Sequence, residues 1–506
     1  MSAPVLMIVG TASSVGKSVL VTALCRILRQ DGVQVVPFKA QNMSNNADVT
    51  PDGLEIGRAQ SEQAAAARLV PRVEMNPVLL KPQGDRTSQV VLNGRPAGVL
   101  TSADFDRRAL LWPHVAHALE VLRDEYEVVV AEGAGSPAEP NLYAREIVNM
   151  AVARHTGAVT LLVGDIDRGG VFAHLVGTLA LLPPEDRALV RGLIINRFRG
   201  DATLLDPAIR AVEERTGIPV LGVIPWIDAL GIAEEDAVAL ERPGTGGGSE
   251  DGAAFDIAVI RFPRIANFDD FDPLAAEPGV RVRYVERVED IGTPSLIILP
   301  GTKATIADLA WLRERGLDRA VRERIAAGTS VIGVCGGMQM LGERLLDPDG
   351  VEAPRGSLVE GLGLLPLETT FVADKTTRRA VGHVAAARGQ WSTARGHTVE
   401  GYEIHMGRTT STGAALDPLL TLDGHEDGAV SLDGRIAGTY LHGLFVSDAF
   451  RRTLLRSLGW RDTGGAISTA ARREREFDRL ADVVRSHLDM ARVRSMLGLE
   501  EPASHA

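Results

Sequence analysis

Six nearly continuous apolar runs punctuate the chain between residues 5 and 225: VLMIVG (5–10), VQVVPF (33–38), YEVVVAEG (126–133), AVTLLVGD (158–165), GLIIN (192–196) and PVLGVIP (219–225). Runs that are apolar at every position, rather than at alternate ones, are how strands covered on both faces of a parallel sheet read. Stretches of helical period such as KSVLVTALCRILRQDG fall between them, so a series of βαβ units is the economical reading. The pattern breaks at ERPGTGGGSEDGAA (241–254), whose glycines, charges and lack of period mark a linker. It restarts with FDIAVIRF (255–262), VRVRYVE (280–286), SLIILPG (295–301) and TSVIGVCGG (329–337), with a helical stretch between the last two and a more β-rich region up to 450. From Arg472 to Leu497, Phe477, Leu480, Val484, Leu488 and Ala491 share one helical face, as in a helix docked on the body. The expected organisation is an α/β parallel-sheet domain over 1–240, the linker, a second α/β domain over 255–450 and a helical extension over 451–506.

Composition narrows what such a chain does. At 506 residues it is too long for one ordinary core. A net charge of −12 argues against nucleic acid or an anionic membrane as the main partner, and aromatics at 4% leave little surface for base stacking. No apolar run approaches the roughly 20 residues of a membrane span. The start, MSAPVLMIVG, lacks a basic region and a cleavage site. Two cysteines make no disulfide framework. A cytoplasmic protein without nucleic-acid or membrane partners is expected.

GTASSVGKS (10–18) is a phosphate-binding loop with one residue too many: Gly10 and Gly16 are separated by five positions, and Thr11 stands where the first glycine belongs. The context still suits ATP, because the segment follows a buried strand and opens a helix, where N–H groups and the helix dipole favour an anion. Lys17 is expected at the β/γ-phosphates and the Ser18 hydroxyl on Mg²⁺. Glu132, ending EVVVAEGAG, fits a second, acidic Mg²⁺ position. Taken singly, Lys39 in VVPFKAQN reads as a surface charge, Glu132 as a capping acid and Asn196 in LIINRF as a turn residue. Together they fall at the carboxyl ends of consecutive strands, where α/β folds bind ligands. The loop resembles that of the dethiobiotin synthetase family, which forms an acyl-type phosphate with ATP. That resemblance implies that Lys39 lies near the transferred phosphoryl group, and that Asn196 and Pro225 belong to adenine-contacting segments.

VIGVCGGMQMLGE sets Cys335 between a strand and a helix, with Gly333 two before it and Gly337 two after, in the G-x-C-x-G form of a nucleophile elbow. A helix N-terminus behind it favours thiolate. The Gly336 N–H is a natural oxyanion donor, with a second from the PGTK loop around Gly301 and Thr302. Cys25, inside an apolar helix pattern, reads as core. The base is expected to be a histidine far along the chain. His442 in GRIAGTYLHGLF is the first choice and His405 in GYEIHMG its rival. A class I glutamine amidotransferase domain, which this half resembles, shows H-x-E there; His442-Gly443-Leu444 lacks the acid, leaving the third member open between a backbone carbonyl and a distant acid.

The long, unusual segments FKAQNMSNN (38–46), DGLEIGRAQ (52–60), EMNPVLLKP (74–82), DIDRGGVFAHLVGT (165–178) and GYEIHMGRT (401–409) extend the resemblance over about residues 4 to 450. With VCGGMQMLG and YLHGLF, the two halves together resemble the cobyric acid synthase family, glutamine-dependent amidoligases of corrinoid biosynthesis. The resemblance implies a Cys-His pair without the usual glutamate, and glutamine, ATP and Mg²⁺ as co-reactants. It also implies a corrinoid substrate, adenosylcobyrinic acid a,c-diamide, amidated at its b, d, e and g carboxylates. Asp165, Asp167 and Arg168 are candidates for corrinoid contact. Rival readings are the a,c-diamide synthase of the same pathway, a cell-wall amidotransferase, a partition-type ATPase, and a cysteine hydrolase or binding module in the second half.

Overall fold

The computed structural model describes residues 2–84, 86–101, 109–228, 255–413, 417–465 and 467–500; the linker expected at 241–254 lies outside them. The chain forms two compact units. The first comprises residues 1–44, 55–236 and 472–506, and the second comprises 45–54 and 237–471.

Each of the six apolar runs of the first half forms a strand of one sheet: β1 (Val5–Gly10), β2 (Val35–Phe38), β3 (Val128–Glu132), β4 (Val159–Asp165), β5 (Val190–Phe198) and β6 (Val220–Pro225). The order is β6-β5-β4-β1-β3-β2, and every pairing is parallel. Helix α1 (Lys17–Gln30) carries the chain from β1 to the edge strand β2, and later connections fill in on either side of β1. The strand order therefore reverses at β1, which opens a crevice beyond its carboxyl end. Helix α2 (Arg58–Ala66) packs on α1 in the same unit.

The C-terminal residues divide. Helix α4 (Asp448–Ser457) buries Phe450, Leu454 and Leu455 in the core of the second unit. Beyond it, α5 (Thr469–His487) and α6 (Met490–Met496) place Leu480, Val484, Leu488 and Val493 in one core with Leu20, Leu24 and Ile27 of α1. Arg26, almost wholly buried, donates to Asp478 at 2.8 Å, and the Asp489 N–H donates to the Leu221 carbonyl. The helical face expected from Phe477 onward holds as far as Leu488. There the helix breaks, and α6 buries Met490 and Val493 while Ala491 is exposed.

The second unit repeats the α/β theme with β7 (Phe255–Ile260), β8 (Val280–Val285), β9 (Leu296–Leu299), β10 (Ser330–Val334), β11 (Ala429–Val430) and β12 (Ile436–Thr439). Their order is β8-β7-β9-β10-β12-β11, parallel except for β11. The helical stretch between β9 and β10 is two helices, separated at Gly316, whose φ of 71° a helix interior does not accept. Between β10 and β12 the chain builds a second sheet around two long antiparallel strands, Leu367–Val384 and Thr398–Ser411, which is the β-rich region of the sequence.

Candidate functional site

In the first unit, the loop between β1 and α1 makes its turn at Gly16, with φ at 98°. A Cβ there would lie 2.2 Å from the Asn196 amide nitrogen, which itself donates to the Val15 carbonyl at 2.8 Å. Asn196 thus braces the loop from the end of β5. The Thr11 N–H donates to the Val163 carbonyl of β4, so the extra residue of the loop is tied to the sheet. Lys17 Nζ reaches the carbonyls of Ala12 at 3.1 Å and Gly135 at 3.3 Å, folded over the loop beside Gly10.

Glu132 is the hub. Phe38 pairs with Ala131 in register, which sets the next residues, Lys39 and Glu132, side by side beyond the strand ends. Lys39 Nζ donates to Glu132 Oε1 at 2.8 Å, the Ser18 hydroxyl to the same oxygen at 2.7 Å, and Gln63 of α2 to Oε2 at 2.5 Å. Burial alone would raise this carboxyl, but the Lys39 ammonium and the three hydrogen bonds hold it below the usual carboxylate range. Lys39 is buried, not the surface charge it resembles when read alone. The Ser18 hydroxyl and the Glu132 carboxylate are hard oxygen donors of the kind Mg²⁺ takes, and Mg²⁺ ordinarily completes its shell with phosphate and water. Among the described residues no three His, Cys, Asp or Glu side chains gather to hold an ion by themselves.

Asp165 and Asp167 stand at the end of β4 and just beyond it. Arg197 donates to Asp165 at 2.9 Å and Arg199 to Asp167 at 3.1 Å, while the Arg199 guanidinium lies 3.8 Å over the Trp226 ring. The acids are charge-paired within their own unit.

In the second unit, Cys335 sits between β10 and α3 (Gly336–Leu341) with φ 51° and ψ −111°, a strained backbone for a residue with a side chain. The two flanking glycines allow the turn. A Cβ on Gly333 would lie 2.6 Å from the backbone of Gly337 and Met338, and one on Gly337 would lie 1.9 Å from the Leu299 carbonyl. Three segments meet at the elbow. Cys335 Sγ lies 3.6 Å from the Ile404 carbonyl. The Thr302 nitrogen is 3.2 Å from the place a Gly336 Cβ would take, and a Cβ on Gly301 would come within 2.9 Å of His442 Cε1. Thr302 is held in turn by the Asp308 carboxyl, which burial pushes up to about 6 against its hydrogen bonds from Thr302 and the Arg264 backbone.

His442 follows β12, and its ring stacks on Tyr402 at 5.4 Å. Its Nδ1 is 2.7 Å from Asp270 Oδ2, and the Gly443 N–H donates to the other oxygen of that carboxylate at 2.9 Å. Burial would lower the imidazole. The Asp270 charge and hydrogen bond, together with the neighbouring Cys335, outweigh it and raise the group to about 10. The raised imidazole beside Cys335 can give up and take back a proton at the elbow, and the Gly336 and Thr302 N–H groups, which meet there, are candidate donors to a developing oxyanion. The rival histidine is committed elsewhere: His405 stacks on Tyr440 at 3.7 Å and its Nδ1 meets the Gly407 carbonyl at 2.8 Å. Cys25 is buried in α1, where burial and then Glu132 push its thiol far above the ordinary range.

Two known families match the two halves of the chain. Residues 6–239 match the CobQ/CobB/MinD/ParA nucleotide binding domain, and residues 256–450 match the CobB/CobQ-like glutamine amidotransferase domain. Over nearly the whole length, the chain is 54% identical to the cobyric acid synthase of Chloroflexus aggregans, covering 96% of each chain. It is 53% identical to that of Chloroflexus aurantiacus, covering 97% of this chain and 98% of the relative. With that of Roseiflexus castenholzii it shares 56% identity over 91% of this chain and 93% of the relative. The chain belongs to the cobyric acid synthase family.

Membership agrees with the resemblance carried by the long motifs and sets aside the partition-type ATPase. Several cobyric acid synthase motif residues form a polar interior in the first unit: Lys81 pairs with Glu55 at 2.6 Å, and Asn76 bonds the Lys39 carbonyl. Asp270 is the partner that sequence reasoning did not single out. It lies 172 positions from His442, in FDDFD, where Asp269 and Asp272 are equal candidates on paper. Among the described residues no helix is long and apolar enough to cross a membrane.

Proposed function

We propose that the chain carries out the reaction its relatives' name denotes, making cobyric acid by ATP- and glutamine-dependent amidation of a corrinoid in cobalamin biosynthesis. We take the substrate as adenosylcobyrinic acid a,c-diamide, amidated at its b, d, e and g carboxylates, and the location as cytoplasmic. The observation that carries the reading is the Cys335–His442–Asp270 group on an elbow, in a chain whose other unit has a phosphate loop backed by Lys39 and Glu132.

The chemistry needs both units. A carboxylate is a poor electrophile, and transfer of a phosphoryl group from ATP to its oxygen gives an acyl phosphate with a good leaving group. Lys17 and the loop N–H groups bind the phosphates, and Lys39 stabilises charge on the phosphoryl group in flight. Ser18 and Glu132 would hold Mg²⁺, which supplies positive charge to the phosphates when bound. Ammonia is mostly protonated at neutral pH, so releasing it from glutamine inside the protein provides a usable nucleophile. The Cys335 thiolate attacks the glutamine carboxamide, and the Gly336 and Thr302 N–H groups receive the oxyanion. His442 donates its proton to the departing ammonia, leaving a thioester. Water, deprotonated by the now neutral His442, attacks the thioester, releasing glutamate and restoring the Cys335 thiolate beside the imidazolium. The ammonia displaces phosphate from the acyl phosphate to form the amide.

The test is incubation of the full chain with ATP, Mg²⁺, glutamine and the a,c-diamide, followed by mass spectrometry. Stepwise conversion of four acids to amides is expected. Turnover of cobyrinic acid itself, with the diamide left untouched, would instead assign the chain to the a,c-diamide step.

A further inference from the structure

Residues 45–54 belong to the second unit although both flanks in sequence, up to Ser44 and from Glu55, belong to the first. This short strap runs from the end of the motif FKAQNMSNN (38–46) to the start of DGLEIGRAQ (52–60), and neither half of the proposed chemistry uses it. Its contacts are specific. The Asn267 N–H donates to Asn46 Oδ1 at 2.7 Å, and the Ala47 N–H donates to Asn267 Oδ1 at 2.9 Å, both bonds buried. Further along, Arg379 donates to the Val49 carbonyl at 2.8 Å. The strap thus holds both the backbone and the side chain of one residue of the second unit, Asn267.

Asn267 is a sensitive point to hold. Its φ of 52° and ψ of 46° are left-handed, a conformation that costs an ordinary side chain and that Asn tolerates. It is the N-cap of the single turn Phe268–Phe271, and its carbonyl accepts the Asp270 N–H at 3.1 Å. One residue before it, the Ala266 N–H donates to the Gly301 carbonyl at 2.8 Å, in the loop beside Cys335. The conformation at Asn267 therefore sets where the Asp270 carboxylate stands, and Asp270 in turn orients His442.

We infer that the strap is a working part of the glutaminase: Asn46 and Asn267 are positioning residues that fix Asp270 against His442 through the reciprocal pair of buried hydrogen bonds. The inference rests on the reading of Asp270 as the acid of the Cys335–His442 group. Displacement of a catalytic group by about 1 Å costs on the order of 100-fold in rate. Asn46→Ala removes the acceptor for the Asn267 N–H. Asn267→Gly keeps the left-handed backbone accessible and removes the side-chain acceptor. Either change is expected to lower kcat for glutamine hydrolysis about 10- to 100-fold, with KM for glutamine nearly unchanged, because neither residue is placed at the substrate.

The experiment measures glutaminase kcat and KM for Asn46→Ala, Asn267→Gly, Asp270→Asn and the double variants Asn46→Ala/Asp270→Asn and Asn267→Gly/Asp270→Asn. If the strap acts through Asp270, each double variant is no slower than Asp270→Asn alone, and Asn46→Asp, which keeps the Oδ1 acceptor, recovers most of the rate. Asp270→Asn with wild-type kcat would overturn the reading of the acid itself. A slow Asp270→Asn beside wild-type kcat in both Asn46→Ala and Asn267→Gly would overturn the role of the strap. So would losses that multiply in the double variants, or a raised KM in place of a lowered kcat, since a merely structural contact gives those results.

Discussion

The two units set their candidate chemistry in the same place, at the carboxyl ends of parallel strands, and each pairs a buried cation with a carboxylate, but they put the pair to different uses. In the first, the Lys39 ammonium is cancelled by Glu132, whose remaining capacity is taken by Ser18 and Gln63. In the second, Asp270 keeps the His442 imidazole protonated up to about 10, next to a thiol on a strained elbow. In the proposed reaction Lys39, Ser18 and Glu132 exchange these partners for phosphate and Mg²⁺, so the resting cluster keeps its charges paired until the anion arrives. A site that must generate its own nucleophile gains from a histidine whose proton is held in place beside the thiol. The contrast is one between a pair that waits for an incoming charge and a pair that handles a proton.

The strongest way to break the comparison is at the sulfur. Cys335→Ser is expected to abolish glutamine-dependent amidation, a loss on the order of 10⁴-fold or more. Amidation driven by ammonium at high concentration and raised pH should survive, because only unprotonated ammonia attacks the acyl phosphate. A Cys335→Ser chain that folds but cannot use ammonium would mean that the two chemistries are not separable.

Next in size is Lys39→Ala. Loss of a charge aimed at the transferring phosphoryl group lowers ligation about 10²- to 10³-fold, while glutamine hydrolysis continues. The same change strips Glu132 of its buried counter-charge, so the thermal unfolding midpoint of the first unit should also fall. Ligation at the wild-type rate would reduce Lys39 to a structural cation.

The smallest effect sharpens the second half of the comparison. The folded His442 is raised from an ordinary 6.5 to about 10. The stability it contributes is therefore fully present below pH 6.5 and is lost as pH rises through 10. Urea unfolding monitored at pH 7 and pH 10.5 should show this slope for the native chain and a weaker one for Asp270→Asn. Equal slopes would mean that Asp270 does not set the charge on His442.

How much of this was legible in the sequence differs by distance along the chain. Lys17, Ser18 and Cys335 could be read because backbone geometry dictates local spacing: a loop that opens a helix, and an elbow whose glycines Gly333 and Gly337 have neighbours closer than a Cβ permits. The six strands of the first sheet could be read because burial on both faces leaves their middles almost wholly apolar, with polar residues mostly toward the ends. Asp270 could not, since nothing local distinguishes it from Asp269 or Asp272. The brace that Asn196 gives the loop could not be read, since it depends on Val15 and Gly16, 181 and 180 positions earlier and close only in the fold. The tail read as one helix because its apolar period continues to Ala491, whereas the chain turns at Leu488 to bond β6.

That tail orders events at the ribosome. Leu480, Val484, Leu488 and Val493 complete the core over Leu20, Leu24 and Ile27, yet they follow the entire second unit in sequence. A nascent chain has the whole amidotransferase unit synthesised before the oily side of its first helix can be covered. A chain that stops before Leu480 therefore leaves that side of α1 without the cover these residues provide.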